Sequence, residues 1–189
     1  MRQSGEAVDR EHLYQGVQPA SGYLRENFPR WACDTDLDPL TGGVMLSAAV
    51  WCQAGDEIRS ITFQGGATAA NTPTHWWFAL YNAVGALVAQ TADQTTAAWA
   101  ANAAKTLPLV QTNPHVVPDA SVYWAAVMMT ATDLVSLAGR SLGLAAVAAG
   151  PVASMAQLAR TSGASLTDTA PATIATPTAV ATYPYVVLT

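Results

Sequence analysis

The sequence predicts an all-β protein, an antiparallel β-sandwich of jelly-roll-like form with an extended N-terminal arm. From residue 31 onward, short apolar runs recur at intervals of roughly ten residues with turn residues between them, as in sandwich strands. Before residue 31, apolar side chains are scattered among polar ones, so this segment cannot bury enough apolar surface to fold alone. We therefore expect an arm over residues 1–30 and a sandwich domain over residues 31–189.

The predicted strands follow the apolar runs in chain order, and each ends at a turn signal such as QAGD or a glycine pair. They cover residues 43–51, 57–63, 75–82, 86–91, 105–110, 121–130 and 183–188, and a hairpin joins the third to the fourth. Pro108 lacks a ladder donor, which places its strand at a sheet edge or a bulge. One helical turn is expected at 99–105 and a short helix near 8–15.

Residues 133–175 fit neither pattern, because glycine and proline interrupt an Ala-rich stretch that is followed by Thr/Ala/Pro-rich coil. We expect one or two short helical turns and a long extended excursion. An excursion of that length in a compact domain is usually functional or packed on another part of the molecule.

Two predicted strands are apolar on both faces, whereas a strand that is solvated on one side has a polar face. The additional apolar face requires a second layer, the chain's own C-terminal segment or another subunit. Trp76, Phe78 and Trp124 are expected in the core. Because a subunit contact is the natural inference, we expect a homotrimer whose contacts include Trp77, Tyr81, Trp124 and Met128.

Charge is sparse and uneven along the chain, with charged residues at 11% of the sequence against about 25% in an ordinary domain. Only three basic and four acidic residues lie beyond residue 59, and the net charge is −5. This balance argues against nucleic acid as a partner, since phosphate binding needs clustered Lys and Arg. Neither a membrane span nor a secretory signal is expected. The weakly charged body suggests surfaces covered by neighbouring subunits, although a neutral surface of Thr, Ser, Asn and Gln is the alternative.

Catalytic and metal-binding motifs are missing from the sequence. Asp34, Asp36 and Asp38 have the spacing that opens an EF-hand loop, but Pro39 stands at the glycine position and Met45 at the closing glutamate position. The three histidines form no recognisable cluster, and the acids of the body are far apart. We expect no catalytic residue, no metal and no cofactor, so that the protein is not an enzyme.

The two cysteines, Cys33 and Cys52, flank a turn-rich stretch and could face each other on adjacent strands. A disulfide between them and two free thiols are both compatible with the sequence. A free Cys52 at the end of its apolar run would behave as a small buried hydrophobe.

The arm carries the side chains that we expect to contact a neighbouring subunit or a capsid surface. The apolar anchors are Leu13, Tyr14, Tyr23, Leu24 and Phe28, and the partners for acidic groups are Arg25 and Arg30. A second candidate site is a platform for stacking on sugar rings, formed by His75, Trp77 and Trp99. Aromatic residues inside strands are more often core, so the platform competes with a purely structural role.

Three stretches together resemble a group of β-sandwich proteins encoded among the virion genes of tailed bacteriophages that infect actinobacteria. They are ITFQGGATAANTPTHWWFALYNAVGALVAQTADQTTAAWAANAAKTLPLV (61–110), VPDASVYWAAVMMTA (117–131) and LARTSGASLTDTAPATIATPTAVATYPYVVLT (158–189). The similarity extends over residues 28–189 and leaves residues 1–27 outside. The resemblance implies a non-enzymatic virion component of the head or tail, assembled in the host cytoplasm, and supplies no catalytic residue.

The expected function is therefore that of a capsid decoration or minor head protein, which binds and stabilises the shell through its N-terminal arm and oligomeric contacts, with the major capsid protein or other virion proteins as partners. The alternative is a tail-fibre or receptor-binding module that recognises host surface glycan through exposed aromatic side chains. The two differ in copy number per particle and in whether they bind capsids or host cells.

Overall fold

The computed structural model describes residues 25–142 and 157–189. Over these ranges the protein is all-β, every strand pair is antiparallel, and one 3-10 turn, Arg30–Ala32, is the sole helical element. The predicted all-β class is thus confirmed. The helical turn expected at 99–105 is wrong, because this stretch forms turns and then enters a strand. The helix expected near 8–15 lies outside the described residues.

Fifteen strands are found in the described ranges, and the longest coincide with the apolar runs of the sequence. They are β1 (Arg25–Glu26), β2 (Thr35–Asp36), β3 (Met45–Cys52), β4 (Glu57–Ile58), β5 (Ser60–Gln64), β6 (His75–Tyr81), β7 (Leu87–Gln90), β8 (Ala104–Pro108), β9 (His115–Val116), β10 (Ser121–Thr130), β11 (Ala138–Ser141), β12 (Ala159–Ser162), β13 (Thr178–Ala179), β14 (Thr182–Pro184) and β15 (Val186–Leu188).

These strands form four sheets. The largest has the order β13-β12-β3-β10-β6-β7, and a four-stranded sheet has the order β1-β15-β5-β8. Smaller sheets consist of β14-β11-β2 and of β4-β9. The predicted hairpin is the β6–β7 pair, and Pro108 lies in β8 at a sheet edge, as predicted.

One face of the six-stranded sheet, here called the strand-covered face, packs against the four-stranded sheet. Side chains from both sheets belong to one buried cluster, and the rings of Phe63 in β5 and Phe78 in β6 lie 4.9 Å apart between centroids. Trp76 is buried in the same cluster, so the predicted core positions of Trp76 and Phe78 are confirmed. The alternation of side chains along β6 directs every second residue into this layer.

The opposite face, here called the coil-covered face, is covered by the chain's own residues 163–177, the covering segment. Leu166, Ala170 and Ile174 pack from this segment against the buried side chains of the sheet. Those side chains include all four residues expected at a subunit contact, Trp77, Tyr81, Trp124 and Met128. That expectation is wrong, because the covering segment of the same chain already buries these four side chains. Trp124 is in the core, as also predicted.

The first described residues belong to the folded body rather than to an arm. Arg25 and Glu26 pair with Leu188 and Val187 of β15, and the Phe28 ring lies 5.2 Å from that of Tyr183. The expected arm, residues 1–30, therefore overlaps the folded body at residues 25–28. The anchors expected at Leu13, Tyr14, Tyr23 and Leu24 lie outside the described residues.

Candidate functional site

Arg25 is engaged within the chain rather than presented to a partner. Its Nε and Nη2 donate to Oδ2 and Oδ1 of Asp56 at 2.9 and 3.2 Å, a two-point contact with a buried carboxylate. Asp56 Oδ2 also accepts a hydrogen bond from the Gln53 backbone N–H at 2.6 Å. The pair fastens β1 to the turn before β4, so the capsid-contact role expected for Arg25 is wrong. Arg30 is exposed and Phe28 is half-buried against Tyr183 and Tyr185.

The predicted sugar platform is not assembled. Trp77 is buried on the coil-covered face, where its Nε1 donates to the Thr167 carbonyl at 2.7 Å. Trp99 is buried in the strand-covered core, 5.1 Å from the Trp76 ring. Neither ring can stack on a sugar, which corrects the expectation for both.

His75, the remaining member of the platform, is half-exposed and bonded to a carboxylate. Its Nδ1 lies 2.7 Å from Asp93 Oδ2, while Asp93 Oδ1 accepts the backbone N–H groups of Trp76 and Thr95. Asp93 therefore holds the loop after β7 against the start of β6. Without an adjacent exposed aromatic from the predicted set, His75 alone does not make a stacking surface.

Within residues 25–142 and 157–189, the exposed aromatic side chains are two tryptophans that the strand pattern did not single out. Trp31 is 83% exposed in the 3-10 turn, and Trp51 is 55% exposed near the end of β3. The sequence feature that indicates an exposed Trp31 is its position after Pro29 and Arg30, outside any apolar run. The alternation of side chains along β3 directs Trp51 to the coil-covered face. Trp51 is nevertheless exposed, because it pairs with Val122 at the end of the sheet. Tryptophans this exposed are typical anchors of protein contacts.

Two of the three aspartates of the EF-hand-like stretch, Asp34 and Asp36, form structural contacts. Asp34 pairs with Arg140 at 3.0 Å, and Asp36 Oδ1 accepts the Ser136 hydroxyl and the Ala67 N–H. Across residues 25–142 and 157–189, no three His, Cys, Asp or Glu side chains are grouped as a metal site. The same residues contain no helix of sufficient length and hydropathy to cross a bilayer.

Both cysteines are free thiols, which decides between the two alternatives left by the sequence. Cys52 is buried, and burial together with the nearby Asp56 carboxylate raises the pKa of its thiol to about 12. Burial and Asp34 also raise the pKa of Cys33. Both thiols are therefore protonated at neutral pH and are poor nucleophiles.

A cleft of about 190 Å³ lies between the loop after β2 and strands β12 and β14. Its lining is mainly apolar, with one carboxylate from Asp38 and hydroxyls from Thr41, Thr161 and Thr182. These groups do not include a base next to a nucleophile, so the cleft supplies no evident catalytic constellation. A scan of protein-family models and a search of curated proteins each found no match for this chain.

Proposed function

We propose that this chain is a non-enzymatic structural protein of a tailed-bacteriophage virion, a capsid decoration or minor head protein assembled in the host cytoplasm. In this proposal the packed antiparallel sheets are a jelly-roll-like sandwich, the protein acts as a homotrimer, and the residues before β1 form the arm. The resemblance of residues 28–189 to such virion proteins supports it, as does the low charge of the body.

The observation that carries the proposal is the 83% exposure of the Trp31 side chain, in the 3-10 turn that follows β1. A tryptophan with this much accessible surface gains several kcal/mol when a partner buries it, on the order of 25 cal/mol per Å². Its neighbours Arg30 and Arg140 supply polar contacts around it, since Arg140 donates to the Ala32 carbonyl and to Asp34. An aromatic centre with a polar rim is the usual composition of a protein interface.

The proposal is tested by quantitative mass spectrometry of purified virions together with binding to empty capsids. A decoration protein is expected in many copies per particle and on empty capsids, and Trp31→Ala is expected to lose that binding. Val84→Ala, which changes a side chain that is 87% exposed elsewhere, is the matched control and should bind normally. A few copies per particle, or equal binding of both variants, contradicts the proposed attachment.

The arm is tested separately by a truncation placed with regard to the structure. Removal of residues 1–27 would delete β1 and its pairing with β15, so the appropriate cut leaves residue 25 in place. We expect the chain that begins at Arg25 to fold and to lose affinity for capsids. Unchanged decoration by this variant would place the attachment on the folded body alone.

The receptor-binding alternative is weakened by the burial of Trp77 and Trp99, the two tryptophans that were to form its sugar platform. It predicts binding to host cells rather than to capsids. Binding of the purified protein to host cells, with none to capsids, would favour the alternative.

A further inference from the structure

The coil-covered face contains polar atoms that are buried without a hydrogen-bond partner. They include Nε and Nη2 of Arg160 in β12, Nε1 of Trp124 in β10 and Oγ of Ser47 in β3. Arg160 lies opposite Ser47 in the β12–β3 pair, and its guanidinium carbon is 3.5 Å from the centroid of the Trp124 ring. Among the described residues, these three neighbouring side chains therefore contain buried polar atoms that make no hydrogen bond.

Arg160 is a cation without a counterion in the part of the chain that is described. The ion pairs within those ranges involve other basic side chains, and no acid of the described ranges lies within ion-pair distance of Arg160. Burial lowers the pKa of its guanidinium to about 10, so it remains protonated at neutral pH. Stacking on Trp124 compensates part of the lost hydration but leaves the N–H groups unbonded. Arg160 as a whole is half-buried, but its Nε and Nη2 are shielded from water without gaining a hydrogen-bond partner, which is costly.

The two unbonded nitrogens define the shape of the missing partner. Nε and Nη2 lie on the same edge of the planar guanidinium, where they match the two oxygens of a carboxylate. The same protein shows this contact elsewhere, because Arg25 uses its Nε and Nη2 to hold both oxygens of Asp56. Arg160 has the same edge, but no hydrogen-bond acceptor contacts it.

We propose that Arg160 and Trp124, with Ser47 beside them, form a binding site for a carboxylate presented by a partner protein. Trp51, which is exposed, and the half-buried Val122 lie on the same face and are paired across β3 and β10. Their apolar surface fits a segment in which an Asp or Glu stands near an apolar residue. The site does not depend on the proposed virion function, since any acidic partner segment would meet the same donors.

The structure indicates which contacts must open for the carboxylate to reach this edge. A Cβ added at Gly85 in the β6–β7 turn would lie 3.6 Å from Arg160 Nη2, and the Gly85 carbonyl accepts the Ile174 N–H at 2.8 Å. The neighbouring cover is therefore turn and coil. Displacing this turn and coil would break a few hydrogen bonds, whereas displacing a strand would break a whole ladder.

The test uses the full chain and sodium acetate as the probe, with sodium chloride and inorganic phosphate at matched ionic strength as comparisons. Acetate is expected to raise the Tm of the wild-type protein above its value in chloride, because a ligand that binds the folded state stabilises it. It is also expected to shift the NMR resonance of the Trp124 indole N–H downfield, with Trp124→Phe providing the assignment.

Arg160→Met is expected to abolish both effects. Arg140→Met, which removes an exposed arginine paired with Asp34, is the matched control and should respond as the wild type does. The proposal is overturned if acetate and chloride act alike on the wild type, or if Arg160→Met responds as strongly as Arg140→Met. A response to phosphate that equals the response to acetate also contradicts it, since the edge would then be a general anion site. If Arg160→Met does not fold, the wild-type protein still tests the proposal: a Trp124 indole shift in acetate but not in chloride supports it, and equal spectra in the two salts overturn it.

Discussion

The two faces of the six-stranded sheet are both buried, but one is closed by a second sheet and the other by the covering segment of residues 163–177. On the strand-covered face, Phe63 and Phe78 meet ring to ring, and the partner sheet satisfies its own backbone groups through its ladders. On the coil-covered face the partner has no ladder, apart from a single bridge between Thr173 and Ala86. Its backbone groups need other partners.

Side chains of the sheet supply those partners. Trp77 Nε1 donates to the Thr167 carbonyl, Tyr81 OH donates to the Pro171 carbonyl, and Gln90 Oε1 accepts the Ala170 N–H. The coil-covered face is therefore built from aromatic residues that carry a polar group, and it also holds the unbonded donors of Arg160 and Trp124. On the coil-covered face, side-chain hydrogen bonds join the sheet to the backbone of its cover, whereas the sheet that covers the other face pairs its backbone groups within its own ladders.

The largest expected effect is on the strand-covered face. Phe78→Ala removes a fully buried ring from between two sheets that cannot collapse onto the cavity, so it should cost about 3–5 kcal/mol of the free energy of unfolding. Urea denaturation measures it, with Val84→Ala as the exposed control. A loss below about 1 kcal/mol would mean that the two sheets do not depend on this contact.

The second effect compares two half-buried arginines, Arg25 and Arg160. Arg25→Met leaves the Asp56 carboxylate buried with its Gln53 contact alone, and we expect a loss of roughly 2–3 kcal/mol. Arg160→Met removes an unpaired cation and should lie within about 1 kcal/mol of the wild type or be more stable. Urea denaturation of both variants checks this difference. Equal losses would show that an acceptor within the chain already holds Arg160.

The third effect isolates the hydrogen bonds of the cover. Trp77→Phe deletes the bond to Thr167, while Trp76→Phe deletes the bond from Trp76 Nε1 to the Ala97 carbonyl. Each should cost about 1–2 kcal/mol, but Trp77→Phe alone should speed cleavage within the covering segment. Limited proteolysis with a protease of broad specificity, mapped by mass spectrometry, measures this. Equal cleavage in both variants would argue against a local role for the Thr167 bond.

The smallest effect concerns local opening and leaves global stability nearly unchanged. Ala125 and Ala126 are adjacent in β10, both fully buried, and lie on the strand-covered and coil-covered faces respectively. In a background with Cys33→Ser and Cys52→Ala, a thiol introduced by Ala126→Cys should react with a thiol reagent about tenfold faster than one introduced by Ala125→Cys. Equal rates would mean that both faces open together.

Much of the strand layout could be predicted from apolar runs, while the short strands could not. β11 and β12 consist of AGRS and ARTS, which have no apolar run, and they form because neighbouring strands offer open edges. The single predicted strand at 183–188 is divided at Tyr185, whose N–H bonds to the Ala138 carbonyl, so its halves belong to different sheets. Such a division depends on partners more than 40 residues away, which local sequence does not encode.

The candidate site was less predictable than the strands. Trp99 lies in an Ala-rich stretch that looks exposed, yet its Nε1 donates to the Ala103 carbonyl and its ring packs on Trp76. Arg160 carries no motif, and its lack of an acceptor emerges only when β12 pairs beside Ser47. The hydrogen-bond partners of a side chain come from segments that are distant in the sequence. Whether such a partner is missing can therefore be seen only in the folded structure.

By itself, the sequence determined the all-β class, the main strands and the division of β6 and β10 into two apolar faces, because side chains alternate along a strand with a fixed period. It also determined that the second apolar face had to be covered. Only the tertiary structure decided what covers it, the chain's own residues 163–177 rather than another subunit. The physical reason is that burial is non-directional: an apolar face is satisfied by any apolar surface, and only the path of the chain decides which one reaches it.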